Sequence, residues 1–355
     1  MSRFFSSAHA SLIPYVPGEQ LNDKKYIKLN TNESPYPPSR EVSEAVLKET
    51  DRLMLYPDPD CRELVRKLAE NLGVDERCVV VTNGSDEILN FAFLAFSDAE
   101  HPVVFPNLTY GFYSVFAGLY NIPFEEIPLD DNFNIRVEDY VGINKNIFIA
   151  NPNAPTGIAL PLSDIERIVE SNPENVVVID EAYVAFGAES AVGLISKYDN
   201  LLVTRTFSKS RSMAGARLGF GVGNPELIAD INTLRYSTNP YNINRMTMAA
   251  GIATLETNDY YLENCKKIEK TRGFVREKLE DLGFFVLPSM TNFVFAKSPD
   301  VSGEDLYISL RERGILVRHF NKERIKDFVR VTIGTDEQME IFIKAVSDII
   351  KEKTK

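Results

Sequence analysis

The sequence predicts an α/β architecture: a three-layer αβα domain around a mainly parallel sheet, followed by a smaller α+β domain. Three observations lead there. The middle of the 355-residue chain carries short β-branched runs that are continuously apolar, as strands covered on both faces require. Helical patterns separate these runs, which is the alternation that builds parallel sheets. Beyond about residue 255 the alternation gives way to one long polar helix and short, scattered strands.

Length fits roughly two domains at about 150 residues each. The expected division is an arm with part of the small domain over 1–45, a large domain carrying the binding motifs over 46–254, and a C-terminal small domain over 255–355. The formal net charge is −12 and no long basic run occurs, so a phosphate backbone is repelled and no nucleic-acid partner is expected. An anionic small substrate would need a local basic pocket. Cys61, Cys78 and Cys265 are scattered and odd in number, without metal-ligand spacing; they read as reduced thiols, with no metal site. Residues 1–12 lack a sustained apolar stretch, and no apolar run approaches the ~20 residues of a membrane span. A cytoplasmic protein without membrane contact is the expectation.

Along the chain, Pro14, Pro17, Pro35, Pro37 and Pro38 suit an extended N-terminal arm, since each fixes φ and removes a donor. Leu64, Val65, Leu68 and Leu72 form the apolar stripe of a helix that Gly73 closes. Strands are expected at 78–82, 102–105, 146–150, 175–180 and 201–206. Ser163 with Glu166 reads as a capping box opening the helix before the fourth of these. The long polar helix covers 258–282 and stops at Gly283, and short strands follow near 291–296 and 315–319. A second capping box, Thr335 with Gln338, opens a last helix with Met339, Phe342, Ile343, Val346 and Ile350 on its apolar face.

The residues with chemistry cluster just after the predicted strands, where open α/β sheets bind ligands. Thr206-Phe207-Ser208-Lys209 ends one strand and leads to Arg217; two hydroxyls and a guanidinium suit a phosphate, although a Ser-Lys pair alone is weak evidence. Asp180 ends a buried run, where a charge is expensive unless paired. A protonated pyridine nitrogen would pair it, Tyr183 would then reach the ring's phenolic oxygen, and the alternative is an Asp capping the next turn. Asn151-Pro152-Asn153-Ala154-Pro155-Thr156-Gly157 is a rigid turn with two amides, or a plain loop. Gly84-Ser85-Asp86 opens a helix whose free N–H groups can cradle an anion; the Asp86 side chain itself would repel phosphate, so its backbone and the Ser85 hydroxyl are the expected contacts. Tyr110 is either a plate for a planar ring or a core tyrosine.

Taken in order, these motifs resemble the fold-type-I, class II aminotransferases, and the likeness runs from Leu12-Ile13-Pro14-Tyr15 to Arg330-Val331-Thr332-Ile333-Gly334-Thr335. The resemblance implies pyridoxal 5′-phosphate as cofactor, carried covalently on Lys209, with Asp180 at the pyridine nitrogen and Tyr183 at the 3-oxygen. It implies Tyr110 over the ring, and Gly84, Ser85, Asp86, Thr206, Ser208 and Arg217 around the phosphate. Tyr56 resembles the tyrosine that reaches the neighbouring subunit's cofactor, which implies a homodimer. Tyr15, Asn32 and Arg330 match substrate-side positions, with Arg318 a further candidate. One departure stands out: the family often has Asn where this chain has Ala154, and Asn153 is expected to take over the bond to the 3-oxygen. Within the family the pattern is most similar to the members that transfer the amino group of L-histidinol phosphate to 2-oxoglutarate, with Lys209 moving the proton. The rival readings are an aromatic or broad-specificity aminotransferase, a threonine-phosphate decarboxylase on the same fold, and a non-catalytic cofactor-binding regulator, for whose DNA-binding module the chain has no room.

Overall fold

The N-terminal arm is tied to the C-terminal third by a short parallel pair, β1 (Ile27–Lys28) with Ile315–Leu316. The computed structural model describes every residue except Met1, Ser11, Asn22, Lys24, Thr354 and Lys355.

Seven strands form the large sheet: β2 (Val79–Thr82), β3 (Val103–Pro106), β4 (Phe124–Ile127), β5 (Asn146–Ala150), β6 (Val177–Asp180), β7 (Leu201–Thr206) and β8 (Gly219–Gly223). Their order is β2-β8-β7-β6-β5-β3-β4. Strands β3 to β7 pair in parallel, while β8 runs antiparallel to both β2 and β7. Successive side chains of a strand point to opposite faces, and both faces are dry here. Val177 and Ile179 join a core with Leu64, Leu68 and Ile165, whereas Val178 joins Ile88, Phe91, Phe93 and Phe148 on the other side. Each such fully buried aliphatic chain contributes about 1.5–3 kcal/mol, which is why these runs do not alternate. The expected strand positions agree to within two residues. The edge strand β4 and the glycine-rich β8 were not expected.

The last third holds β9 (Phe285–Val286), β10 (Phe293–Lys297), β11 (Ile315–Leu316), β12 (Arg318–His319) and β13 (Phe328–Thr332). Four of them make an antiparallel sheet ordered β12-β13-β10-β9. It packs on helices Asn258–Asp281, Gly303–Glu312 and Asp336–Lys353 through Ile268, Val294, Leu310, Val331 and Phe342. The same core takes in Leu29, Ala154 and Tyr183, so the small sheet sits directly over the loops that follow β5 and β6. A seam between the two sheets results, and the strand-end motifs open into it.

Local signals acted as expected at several ends. Gly73 caps its helix in the left-handed region at φ 70°. Thr335 and Gln338 exchange both capping-box bonds: the Thr335 N–H donates to Gln338 Oε1 at 3.0 Å, and the Gln338 N–H to Thr335 Oγ1 at 3.3 Å. The other capping box fails. Helix Leu162–Glu170 starts after Pro161, so Ser163 already lies inside it and caps nothing, and Glu166 instead binds Lys197 at 2.7 Å. Pro161 takes the N-cap position with φ −58° and no side-chain hydrogen bond, which puts Ser163 at the second helical residue, past the point from which a hydroxyl caps. On the last helix it is Ile349 rather than Ile350 that is fully buried beside Met339, Phe342 and Val346.

Candidate active site

Strands β2, β3, β5, β6 and β7 end on the same edge of the sheet, and each delivers one part of the site. After β7, Lys209 projects into the seam, its Nζ donating to the Thr31 carbonyl at 3.2 Å and lying 5.9 Å from the Tyr183 ring centre. Two adjoining cavities share Thr31, Tyr110, Ala154, Tyr183 and Lys209 as walls.

The deeper cavity, about 280 Å³, adds Ser85, Asp86, Asp180, Thr206, Ser208 and Arg217. Asp180 terminates β6 almost fully buried and faces no cation among the described residues. It accepts from Tyr113 Oη at 3.1 Å, the Ala182 N–H at 3.2 Å and Thr204 Oγ1 at 3.3 Å. Burial pushes its carboxyl up to about 6, against the pull of the Tyr113 bond and with a further push from the Asp86 charge. A carboxylate kept dry and short of a counter-charge is a site made for a cation.

Opposite, Arg217 anchors to Asp86 at 3.2 Å and to Ser208 Oγ at 3.4 Å, beside Ser85 at the start of helix Ser85–Phe96. Free N–H groups, two hydroxyls and a guanidinium converge there. Glycines allow the approach: a Cβ on Gly84 would stand 2.6 Å from Arg217, and one on Gly219 only 2.5 Å from the Ser85 nitrogen. The Asp86 carboxylate is spent on Arg217 and on Tyr110 Oη at 2.6 Å, which leaves its backbone for an anion.

The outer cavity, about 290 Å³, adds Tyr15, Asn32, Arg318, Phe320, Lys322 and Arg330. Arg330 leaves β13 half-buried. One nitrogen donates to the Asn30 carbonyl at 3.1 Å, and Nε has no partner among the described residues. Burial lowers its pKa, though a guanidinium keeps its proton at any working pH. Arg318 holds the Val16 and Pro17 carbonyls at 3.0 and 3.1 Å, fastening the arm on which Tyr15 stacks at 4.4 Å over Phe112.

Most of the residues singled out in the sequence therefore meet in one seam. Two do not. Asn153, expected to face the ring oxygen, is turned into its own loop. Its Nδ2 donates to the Leu108 carbonyl at 2.9 Å and Thr156 Oγ1 at 3.0 Å, while Oδ1 accepts from Thr109 at 2.8 Å. Both amide hydrogens are used, and the residue lines neither cavity. Tyr56 also stands outside: the residue is 78% exposed, its ring stacked at 4.6 Å on Tyr241 beside exposed Leu53, Met54 and Leu55. Sequence reading missed Tyr113, Thr204, Thr31 and Lys322. Tyr113 was the most accessible of these, lying three residues beyond Tyr110 in the first turn of helix Phe112–Tyr120, its ring 5.9 Å from that of Tyr110.

The deep cavity fits pyridoxal phosphate on its own geometry: a buried acid without a counter-charge among the described residues at one end, an anion cradle at the other, an aromatic wall, and a lysine amine between. Together with the sheet order, this defines a fold-type-I transferase that uses pyridoxal phosphate. The chain belongs to the class I and II aminotransferase family, whose model matches residues 24–346. It is 50% identical over 353 residues to the histidinol-phosphate aminotransferase of Marinomonas sp., covering 98% of this chain and 100% of that one. It is 48% identical to the enzyme of that name from Brachyspira hyodysenteriae, over 99% of this chain and all of its relative. The histidinol-phosphate aminotransferase of Sinorhizobium meliloti, solved with pyridoxal 5′-phosphate, superposes with a TM-score of 0.90 at 24% identity over 99% of both chains.

Proposed function

We propose that this protein transfers the amino group of L-histidinol phosphate to 2-oxoglutarate, giving imidazole acetol phosphate and L-glutamate in histidine biosynthesis. The observation that carries it is the convergence of Arg330, Arg318 and Lys322 on the cavity that reaches Lys209, in a chain whose net charge is −12. One substrate brings a phosphate ester and the other two carboxylates, so a single basic pocket must hold different anions in turn. A planar guanidinium pairs with an edge of either. The relatives that are half identical over their whole length carry this activity in their names.

Bound pyridoxal phosphate supplies the electron sink for the carbanion at the substrate Cα. Asp180 holds a proton on the ring nitrogen, because its own buried charge is paired only while that nitrogen is cationic. Tyr183 would donate to the ring's 3-oxygen, and Arg217, Ser208, Thr206 and the N–H groups of residues 85 and 86 would grip the phosphate. Tyr110 covers one face of the ring. Lys209 Nζ would hold the cofactor and, when freed by the substrate amine, would carry the proton from the substrate Cα to the cofactor's C4′. Tyr15 and the arm that Arg318 fastens close the outer cavity against water.

The working unit in this reading is a cytoplasmic homodimer. The exposed apolar run 53–56 forms the subunit contact, which carries each Tyr56 into the partner's cleft. The activity is tested with purified protein, 2-oxoglutarate and a panel of L-histidinol phosphate, L-phenylalanine and L-threonine phosphate, with glutamate release followed. Histidinol phosphate should give the highest kcat/KM. A higher value with phenylalanine, or carbon dioxide release from threonine phosphate, would overturn the assignment.

A further inference from the structure

Ala154 lines both cavities, and because Asn153 spends its amide inside the turn, no amide reaches Tyr183 from there. One arrives from the N-terminal arm instead. Asn32 Nδ2 donates to Tyr183 Oη at 2.8 Å, with both residues buried. The orientation of that amide is fixed by Thr332, whose Oγ1 accepts from the Asn32 N–H at 2.9 Å and donates to Asn32 Oδ1 at 3.0 Å. With Oδ1 committed as acceptor, Nδ2 is the atom that faces the phenol. The Tyr183 oxygen therefore accepts, and its own hydrogen is left to be donated into the cavity it shares with Lys209.

The backbone is held for this purpose. Asn32 sits at φ 57°, in the left-handed region that asparagine tolerates better than most residues. Asn292 Nδ2 pins its carbonyl at 2.9 Å. Thr332 lies two residues along β13 from Arg330 and so shares its face, which makes one rigid link from the anion pocket to the phenol.

We propose that Asn32 is a positioning residue: its amide fixes the Tyr183 hydroxyl so that it donates to the 3-oxygen of bound pyridoxal phosphate, a task no side chain at position 154 performs in this chain. The inference rests on the reading that seats the cofactor between Lys209 and Tyr183.

The test is a pH titration of the visible absorbance of the lysine-linked cofactor, which needs no turnover. Loss of the proton on the lysine–cofactor nitrogen leaves uncompensated negative charge on the 3-oxygen, so a donor to that oxygen lowers the midpoint. Asn32→Ala should raise the acid midpoint by on the order of fivefold in proton concentration, the worth of one hydrogen bond. Tyr183→Phe should raise it at least as far, and Asn32→Ala added to Tyr183→Phe should raise it no further. Restoring an amide next to the ring, Ala154→Asn in the Asn32→Ala background, should bring the midpoint back toward wild type. Thr332→Val, which leaves Asn32 in place but frees its amide, should shift it the same way by less, and carries the test if Asn32→Ala does not fold. Lys209 and Arg330, the charged groups facing Tyr183, are unchanged in each of these titrated variants of Asn32, Tyr183, Ala154 and Thr332. Midpoints unmoved in both Asn32→Ala and Thr332→Val, or full additivity with Tyr183→Phe, would overturn the proposal. A lysine-linked band missing from wild type, or surviving in Lys209→Ala, would overturn the seating of the cofactor itself.

Discussion

Replacing Asp180 with asparagine should stabilise the cofactor-free protein and abolish its catalysis. The side chain keeps its shape: the Ala182 N–H and Thr204 can still donate to Oδ1, and the Tyr113 hydroxyl can rotate to accept from the new amide. What disappears is a buried charge. The Asp180 carboxyl stands at about 6 in the folded chain, chiefly through burial. Against an ordinary value of about 3.9, that gap is worth roughly 3 kcal/mol. The folded state here binds the proton more tightly than the unfolded state, so this group's cost is present in full above pH 6. The cost is relieved as the pH falls from 6 toward 4. Urea unfolding of the cofactor-free proteins, followed by circular dichroism, measures the difference. At pH 8 the variant should be more stable by about 1–3 kcal/mol, and the gap should close by pH 4. In the holoenzyme the variant can no longer keep the ring nitrogen protonated, so kcat should fall by several orders of magnitude, each tenfold being about 1.4 kcal/mol. Equal urea midpoints at pH 8, or a loss in kcat below about tenfold, would show that Asp180 is a turn cap and not the partner of a cation.

Arg330→Lys retains charge but loses the planar fork, so KM should rise for both glutamate and histidinol phosphate in steady-state assays while the cofactor spectrum is unchanged; an effect on one substrate alone assigns the other to Arg318 or Lys322. Mixing inactive Tyr56→Ala and Lys209→Ala subunits should restore part of the activity, because one site of each mixed dimer then has both residues. No recovery despite proven subunit exchange would place Tyr56 outside any active site.

The buried centre of the large sheet was legible because parallel strands covered on both faces leave an unbroken apolar signature, as in Ile147, Phe148 and Ile149. Strand β4 was not, since Phe124-Glu125-Glu126-Ile127 is an exposed edge with two acids. Strand β8 was hidden by its glycines, which are required by packing from elsewhere: a Cβ on Gly221 would fall 2.1 Å from Ile88. The same division holds in the site. Lys209, Asp180 and the Gly84 turn each sit next to their own strand, so a local motif sufficed to point at them. The fate of Asn153 depended on Thr109, 44 residues away, and the contact of Asn32 with Tyr183 spans 151 residues. No local pattern encodes such pairs. Capping went both ways for a physical reason: Thr335 had no competitor, whereas Pro161 had already set the entry that Ser163 was expected to make.

The covalent seat of the cofactor is the point on which the whole account turns. Reducing the holoenzyme with borohydride fixes the lysine–cofactor bond, and mass spectrometry of the digested protein then locates it. The account predicts the modification on the peptide containing Lys209 and its absence when glutamate has first converted the cofactor to its amine form. Modification at another lysine, or none in an enzyme that is active, would contradict it.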